Sequence, residues 1–163
     1  MAKFEFRNGT YEGEAINNIP NGKGKVTFED GAYYEGDFVN GQFHGKGKCY
    51  LNGMGVYDGT WNKNYFIEGK VIAESDILPG YKSGTIYEGE FEHFILNGKG
   101  KMTCANGDIY EGEFSKGKLH GKGKLTLCDG TVIEGDWEEG VKKYVYTDED
   151  YENAGGDARF GSN

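Results

Sequence analysis

A three-residue motif, tyrosine followed by an acidic residue and glycine, recurs almost unchanged six times along this chain of 163 residues. The six copies begin at Tyr11, Tyr34, Tyr57, Tyr87, Tyr110 and Ile133. Successive copies are separated by 23, 23, 30, 23 and 23 residues. A fixed period of this size is typical of a repeat array, in which each unit stacks on its neighbours instead of closing a globular core. The period therefore constrains the fold strongly, and it favours binding or scaffolding over catalysis.

The composition by itself would place the chain near the disordered class. Leu, Ile, Val and Phe make up just under a fifth of the residues, and the net charge is -9. The 29 glycines and 12 tyrosines argue for order, because they recur at fixed offsets and because aromatic rings bury large areas. The negative charge makes nucleic acid a poor partner, since phosphate binding requires clustered Lys and Arg.

The sequence shows neither a membrane-spanning segment nor a signal peptide, and its cysteines form no recognisable framework. The chain has no apolar run near the roughly 20 residues that a membrane span needs, and its first residues lack the apolar stretch of a signal peptide. Cys49, Cys104 and Cys128 are odd in number and follow no metal-binding spacing. We therefore expect three reduced thiols and a cytoplasmic location.

Each unit is predicted to form a β-hairpin. Counted from the tyrosine as offset zero, glycines recur at offsets 11, 13 and 20, and residues 110–114 and 121–127 show the alternation of two short strands. Alternation with a period of two, bounded by Asn, Asp and Gly, indicates a hairpin. Tight turns between units are predicted at Asp30-Gly31, Asn106-Gly107 and Asp129-Gly130.

The alternation also predicts two different faces of the sheet. Offsets 0, 2 and 4 place tyrosine, glycine and a further aromatic ring on one face, where the rings are expected to lie over glycines of the adjacent strand. The opposite face carries acids at offsets 1 and 3 and lysines at offsets 12 and 14. Cross-strand pairs of this kind contribute only about 0.2–1 kcal/mol each, so their main effect is to fix the register and to keep the sheet soluble.

The pattern Tyr-Glu-Gly-Glu-Phe, then Gly-Lys-Gly-Lys and an Asp-Gly or Asn-Gly turn, resembles the MORN repeat (membrane occupation and recognition nexus) over residues 9–143. The resemblance implies an all-β fold: an elongated, twisted single-layer antiparallel sheet of consecutive 23-residue β-hairpin repeats with an aromatic-lined groove. It also implies a short stand-alone protein, without an enzyme domain, that binds a protein partner in a cytoskeletal or ciliary assembly.

The chain is predicted to divide into an array and a tail. Residues 1–146 hold about six units, and the third is irregular, with an insertion near 71–86 that forms either a loop or another short strand. Residues 4–6 and 141–146 are expected to add strands at the two ends, and an unpaired edge would give a homodimer by strand addition. Residues 147–163 form an acidic tail that we predict to be disordered.

Polar side chains of the types used in catalysis have simpler explanations in the repeat. His44 and His120 stand where other units have Asn21 and Asn97, which indicates a polar position beside a turn. The paired acids recur in every unit opposite lysines, as a salt-bridge lattice requires, and no serine or cysteine lies in a nucleophile elbow. We therefore predict no catalytic residue, no cofactor and no metal site, and expect that the protein is not an enzyme.

The aromatic face is the candidate binding site. In a single-layer sheet its rings are expected to stay partly open, and an exposed aromatic stripe favours a bound peptide or helix. Ring packing without any ligand is the competing explanation. A membrane tether that uses the lysines is the alternative function, although the neighbouring acids weaken the field a lipid would meet. The predicted groove residues are Tyr11, Tyr34, Phe38, Tyr57, Trp61, Tyr87, Phe91, Tyr110, Phe114 and Trp137.

Overall fold

A computed structural model describes residues 1–76 and 82–143, and these residues form thirteen strands. The strands are β1 Ala2–Phe6, β2 Gly9–Ile16, β3 Ile19–Phe28, β4 Tyr33–Val39, β5 Gln42–Leu51, β6 Gly55–Asn62, β7 Tyr65–Ala73, β8 Ile86–Glu92, β9 Ile95–Thr103, β10 Ile109–Ser115, β11 Lys118–Thr126, β12 Val132–Glu138 and β13 Val141–Lys142. Every strand pairs antiparallel with the next one in sequence, in one open sheet. The predicted single layer of consecutive hairpins is confirmed.

The hairpin turns lie alternately at the two ends of the strands, and the turns at the two ends differ in type. Within each unit the turn has two residues with positive φ, as at Asn17 (51°) and Asn18 (59°), which is the type I′ geometry that matches strand twist. Between units the turns use the predicted dipeptides. Asp30 accepts a hydrogen bond from the Ala32 N–H at 3.0 Å, and Asp129 does the same for Thr131 at 2.9 Å.

A continuous row of aromatic and apolar residues crosses twelve strands. Each member is paired with the next in the strand register, so the tyrosines of successive units are separated by one residue of the intervening strand. The row is Phe4, Tyr11, Val26, Tyr34, Cys49, Tyr57, Val71, Tyr87, Met102, Tyr110, Leu125 and Ile133. This row is the centre of the core.

A second row, beside the first on the same face, consists of glycine alone. It runs through Gly13, Gly24, Gly36, Gly47, Gly59, Gly69, Gly89, Gly100, Gly112, Gly123 and Gly135. A Cβ built on Gly112 would lie 2.7 Å from the Cα of Gly123, closer than real Cβ atoms approach. The backbones are therefore left bare where neighbouring rings lie over them.

The insertion does not interrupt the sheet. Residues 71–73 complete β7, and β7 pairs with β8 across the insertion, with Lys70 opposite Glu88. The described ends of the insertion are held together, since the Ala73 N–H donates to the Thr85 carbonyl at 3.0 Å and the Ser83 N–H donates to Asp76 at 2.6 Å. Residues 77–81 lie outside the described residues, so the choice between loop and short strand there stays open.

The two predicted terminal strands are present to different extents. The segment that includes Phe4 and Phe6 forms β1, as expected. At the other end β13 covers Val141–Lys142, and residues 144–146 of the predicted strand lie outside the described residues. The predicted disordered tail, 147–163, also lies outside them.

Candidate functional site: the aromatic face

The structure buries the predicted groove residues instead of leaving them partly open. Nine of the ten are at most 6% exposed, and Tyr110 is the half-buried exception. The expectation of an open stripe of rings is therefore wrong. The rings cover one another edge to face, as Tyr34 and Trp61 do at 5.4 Å between centroids, and they lie over the glycine row, so a second sheet is not needed to bury them.

A repeated position that the sequence reasoning missed completes this burial. At offset 9, five residues follow the same 23, 23, 30 and 23 spacing, and each pairs across its hairpin with the offset-4 residue. The five residues are Pro20, Phe43, Phe66, Leu96 and Leu119. Phe43 stacks on Tyr34 at 3.9 Å, and Phe66 lies 4.9 Å from Phe91. The periodic spacing was the signal that could have identified them.

The tyrosine hydroxyls are anchored to the backbone. The Tyr11 O–H donates to the Glu14 carbonyl at 2.6 Å, and the Tyr34 O–H donates to the Asp37 carbonyl at 2.8 Å. Burial raises the pKa of Tyr11, Tyr34 and Tyr87 above the ordinary tyrosine value. The Tyr11 and Tyr34 hydroxyls are structural donors, the Tyr87 hydroxyl accepts from the Lys82 N–H at 2.9 Å, and the raised pKa keeps all three phenols protonated near neutral pH.

The two tryptophans show that the chain has two similar halves. Trp61 Nε1 donates to the Gly47 carbonyl at 3.0 Å, and Trp137 Nε1 donates to the Gly123 carbonyl at the same distance. Both residues of the second pair lie 76 positions after their counterparts in the first. The indoles therefore clamp the sheet at equivalent places.

The opposite face carries a charged row that alternates in sign at every strand. Its members are Lys3, Glu12, Lys25, Glu35, Lys48, Asp58, Lys70, Glu88, Lys101, Glu111, Lys124 and Glu134. Ion pairs such as Lys25–Glu35 at 3.8 Å are solvent-exposed and weak. Because acids flank each lysine on the inner strands, the row offers little net field to an anionic surface.

The acids at offset 3 have a further role that the sequence reasoning did not assign. In the first, fourth and fifth units the second strand bulges before its central glycine, with three residues opposite the single acid of the first strand, and the carboxylate accepts a hydrogen bond from a backbone N–H of the bulge. Glu14, Glu90 and Glu113 accept from Lys23, Lys99 and Lys122 at 2.7, 2.6 and 2.9 Å. These acids are therefore structural.

The histidines and cysteines lie in simple surroundings. His120 Nδ1 accepts from the Glu139 N–H at 3.4 Å, as Asn97 accepts from the Lys116 N–H, which confirms the predicted polar position beside a turn. Burial raises the pKa of the free Cys49 thiol to about 12.

In residues 1–76 and 82–143, no three His, Cys, Asp or Glu side chains are grouped to hold a metal ion. The same residues contain no helix with the length and apolar character needed to cross a membrane.

One open groove adjoins the aromatic face, between the turn ends of the hairpins of the third unit (β6 and β7) and the fourth unit (β8 and β9). Its volume is about 360 Å³. Phe66 and Phe91 form a buried floor, whereas Tyr65 and Ile67 on its wall are 54% and 40% exposed. Its remaining lining residues are Asn62, Lys63, Glu92 and His93. Phe91 is thus the predicted groove residue that reaches an open apolar surface here.

The groove has a structural cause in the irregular third unit. At four other junctions between units the ladder continues to an offset-11 glycine, as where Gly45 faces Trp61. In the third unit Glu68 takes the place that the offset-12 lysine has at other junctions, such as Lys23 opposite Asp37, and the β7–β8 ladder ends with Glu68 opposite Glu90. Like charges directly opposite each other are unfavourable, so the strands separate beyond that pair.

The comparisons with known proteins agree with the repeat architecture. A family model described as the MORN repeat matches residues 11–33, 34–54, 87–109 and 110–132, which is more than half of the chain. The chain therefore belongs to the MORN repeat family. The irregular third unit lies between the matched segments. A search of curated proteins found no match.

Proposed function

We propose that this protein is a non-catalytic scaffold that binds an amphipathic peptide or helix of a protein partner at the aromatic face. The observation that carries the proposal is the apolar groove between the third and fourth hairpins, with Phe91 in its floor. An apolar side chain of the partner would contact Tyr65, Ile67 and Phe91 and would remove their exposed area from water.

Further apolar side chains on the same side of the sheet support an extended interface. They lie near the turns within the units, which are all at the same end of the strands as the groove. Each of these side chains is at least 40% exposed. These side chains are Ile16, Ile19, Val39, Tyr65, Ile67 and Val141. Large apolar residues repeated along one side favour a partner segment that crosses several hairpins. A cytoskeletal or ciliary assembly as the setting rests on the family resemblance alone.

The membrane tether receives less support, because the exposed lysines face acids across the strands. Vesicles containing about 20% phosphatidylserine, at roughly physiological salt, provide the comparison. Sedimentation of the chain with these vesicles would favour the tether over the protein scaffold.

The experiment compares capture by the wild-type chain with capture by a variant that carries Tyr65→Ser and Ile67→Ser. Ile72→Ser on the same strand is the matched control, since Ile72 is exposed but does not line the groove. We expect the double variant to lose its bound proteins, at least about tenfold in affinity, while the control keeps them. Equal capture by all three chains would contradict the proposal. Trp61→Ala is a poor test, because the buried indole also holds the sheet together.

A further inference from the structure

The first strand is an edge of the sheet that the described residues form. Among the described residues β1 pairs with β2 alone. The turn at Arg7 and Asn8 has positive φ at both residues and is closed by the Phe6–Gly9 pair. Hydrogen-bonded and non-hydrogen-bonded pairs alternate from there, so residues 6, 4 and 2 direct their backbone groups towards β2. The N–H and C=O groups of Lys3 and Glu5 therefore face the free edge.

The charged row of the opposite face is incomplete at this edge. On the inner strands each lysine of the row lies between acids on both neighbouring strands, as Lys25 lies between Glu12 and Glu35. Lys3 has Glu12 on one side, with its Nζ 2.5 Å from the carboxylate, and no strand of the described chain on the other. Continuation of the row would require an acid beside Lys3.

We propose that β1 pairs antiparallel with β1 of a second copy of this chain, so that Lys3 of each copy faces Glu5 of the other. Only odd-numbered residues can form the hydrogen-bonded pairs, which leaves few registers. One register pairs Lys3 with Lys3, and another pairs Glu5 with Glu5. The register centred on Phe4 alone places opposite charges across both pairs, and it uses all the free backbone groups of Lys3 and Glu5.

The aromatic row supports the same register. Phe4 and Phe6 are half-buried, and Phe4 packs on Tyr11 at 5.2 Å between ring centroids. In the register centred on Phe4, the two Phe4 residues meet at the twofold axis as a non-hydrogen-bonded pair, where side chains approach most closely. The aromatic face of one copy then continues into the aromatic face of the other, and the charged face into the charged face. This inference does not depend on the groove proposed above.

The first experiment measures self-association by sedimentation velocity, with any purification tag placed at the carboxyl end. We expect a concentration-dependent dimer below about 100 µM. Lys3→Glu or Glu5→Lys, each alone, places like charges across both pairs and should weaken the dimer about tenfold or more. An equimolar mixture of the two variants should restore association, because opposite charges then face each other. A wild-type chain that stays monomeric would overturn the proposal.

Two further variants keep the test informative if a charge change disturbs β1. Glu5 faces Thr10 of β2 as a non-hydrogen-bonded pair, so Glu5→Pro removes an N–H that faces the free edge and should abolish the dimer while leaving the chain folded. Phe4→Cys, in a chain with Cys104→Ser and Cys128→Ser, should form a disulfide between copies on oxidation. The reason is that residue 4 of each copy lies at the twofold axis, opposite residue 4 of the other copy. A dimer that survives Glu5→Pro, or that forms no such disulfide, would contradict pairing through β1. The Tyr65→Ser and Ile67→Ser changes should leave the dimer intact, which separates it from the groove.

Discussion

At the residue scale, the tyrosine at offset zero and the glycine of the next strand act as one unit. The Tyr34 ring lies directly against Gly47, and its hydroxyl is held by the carbonyls of Asp37 and His44 at 2.8 and 3.2 Å. The ring cannot move away without losing these bonds. Glycine is therefore required by contact at this position, in addition to any effect on backbone freedom.

Gly47→Ala should consequently destabilise the protein more than a turn glycine does. A Cβ at Gly47 would overlap the Tyr34 ring, and overpacking of this kind costs about 1–3 kcal/mol or more. Gly31→Ala is the matched control: its Cβ would meet no atom within 4 Å, and only the φ of 89° is unfavourable, at about 1–2 kcal/mol. Urea unfolding measures both. If Gly47→Ala were the milder change, the ring would not be fixed over the glycine.

At the element scale, the hairpins of the first, second, fourth and fifth units each contain a bulge in which a carboxylate accepts a hydrogen bond from a backbone N–H. Glu113 provides this bond in the fifth unit, with 2.9 Å to the Lys122 nitrogen. Glu111, two residues earlier, is partly buried and lies in the charged row between Lys101 and Lys124. The two acids look identical in the sequence but have different structural roles.

Glu113→Ala should therefore lower the free energy of unfolding by about 1 kcal/mol, since a hydrogen bond to a charged acceptor is lost beside the bulge. Glu111→Ala should cost about 0.5 kcal/mol or less, as surface ion pairs do. Chemical denaturation at neutral pH gives the comparison. Equal effects of the two substitutions would mean that the bulge bond contributes nothing specific.

The sequence predicted the hairpins, the turns and the pairing of acids with lysines, because all of these follow from residue spacing. It did not predict the burial of the rings. That burial depends on contacts between the offset-4 and offset-9 residues, such as Phe91 with Leu96, and the bulge brings these into register by placing three residues of β9 opposite one residue of β8. A bulge changes which residues face each other without changing the repeat length, so spacing alone does not reveal it.

At the scale of the whole molecule, the core is a row of tyrosines instead of an aliphatic interior. Burial raises the pKa of Tyr11, Tyr34 and Tyr87, so folding favours the neutral phenol. A folded-state pKa above the unfolded one contributes stability that is fully present below the unfolded pKa. That stability is lost as the pH rises towards the folded value.

The unfolding midpoint in urea should accordingly change little around neutral pH and fall above about pH 10, where unfolded tyrosine ionises. Tyr34→Phe removes one of the responsible groups. It should lower stability at neutral pH, because two hydroxyl contacts are lost, and should make the alkaline decline shallower. An alkaline decline of the same steepness in the variant would show that groups other than Tyr34 determine it.

The open groove arises where the repeat pattern is broken, which explains why the sequence indicated the region but not the surface. The third unit departs from the glycine pattern, and Tyr65 and Ile67 lie in that unit. Their exposure depends on the ladder ending at Glu68 and Glu90. The pairing of these two acids is a property of the register between units and is invisible in either unit alone.

Site-specific photo-crosslinking tests the proposed scaffold function most directly. A benzophenone amino acid replaces Tyr65 in one chain and Ile72, on the same strand but outside the groove, in another. Both chains are irradiated in cells. The proposal predicts a discrete crosslinked protein from position 65 that is absent from position 72 and is lost when Ile67→Ser is added. Crosslinks of equal pattern from both positions, or from neither, would contradict partner binding in this groove.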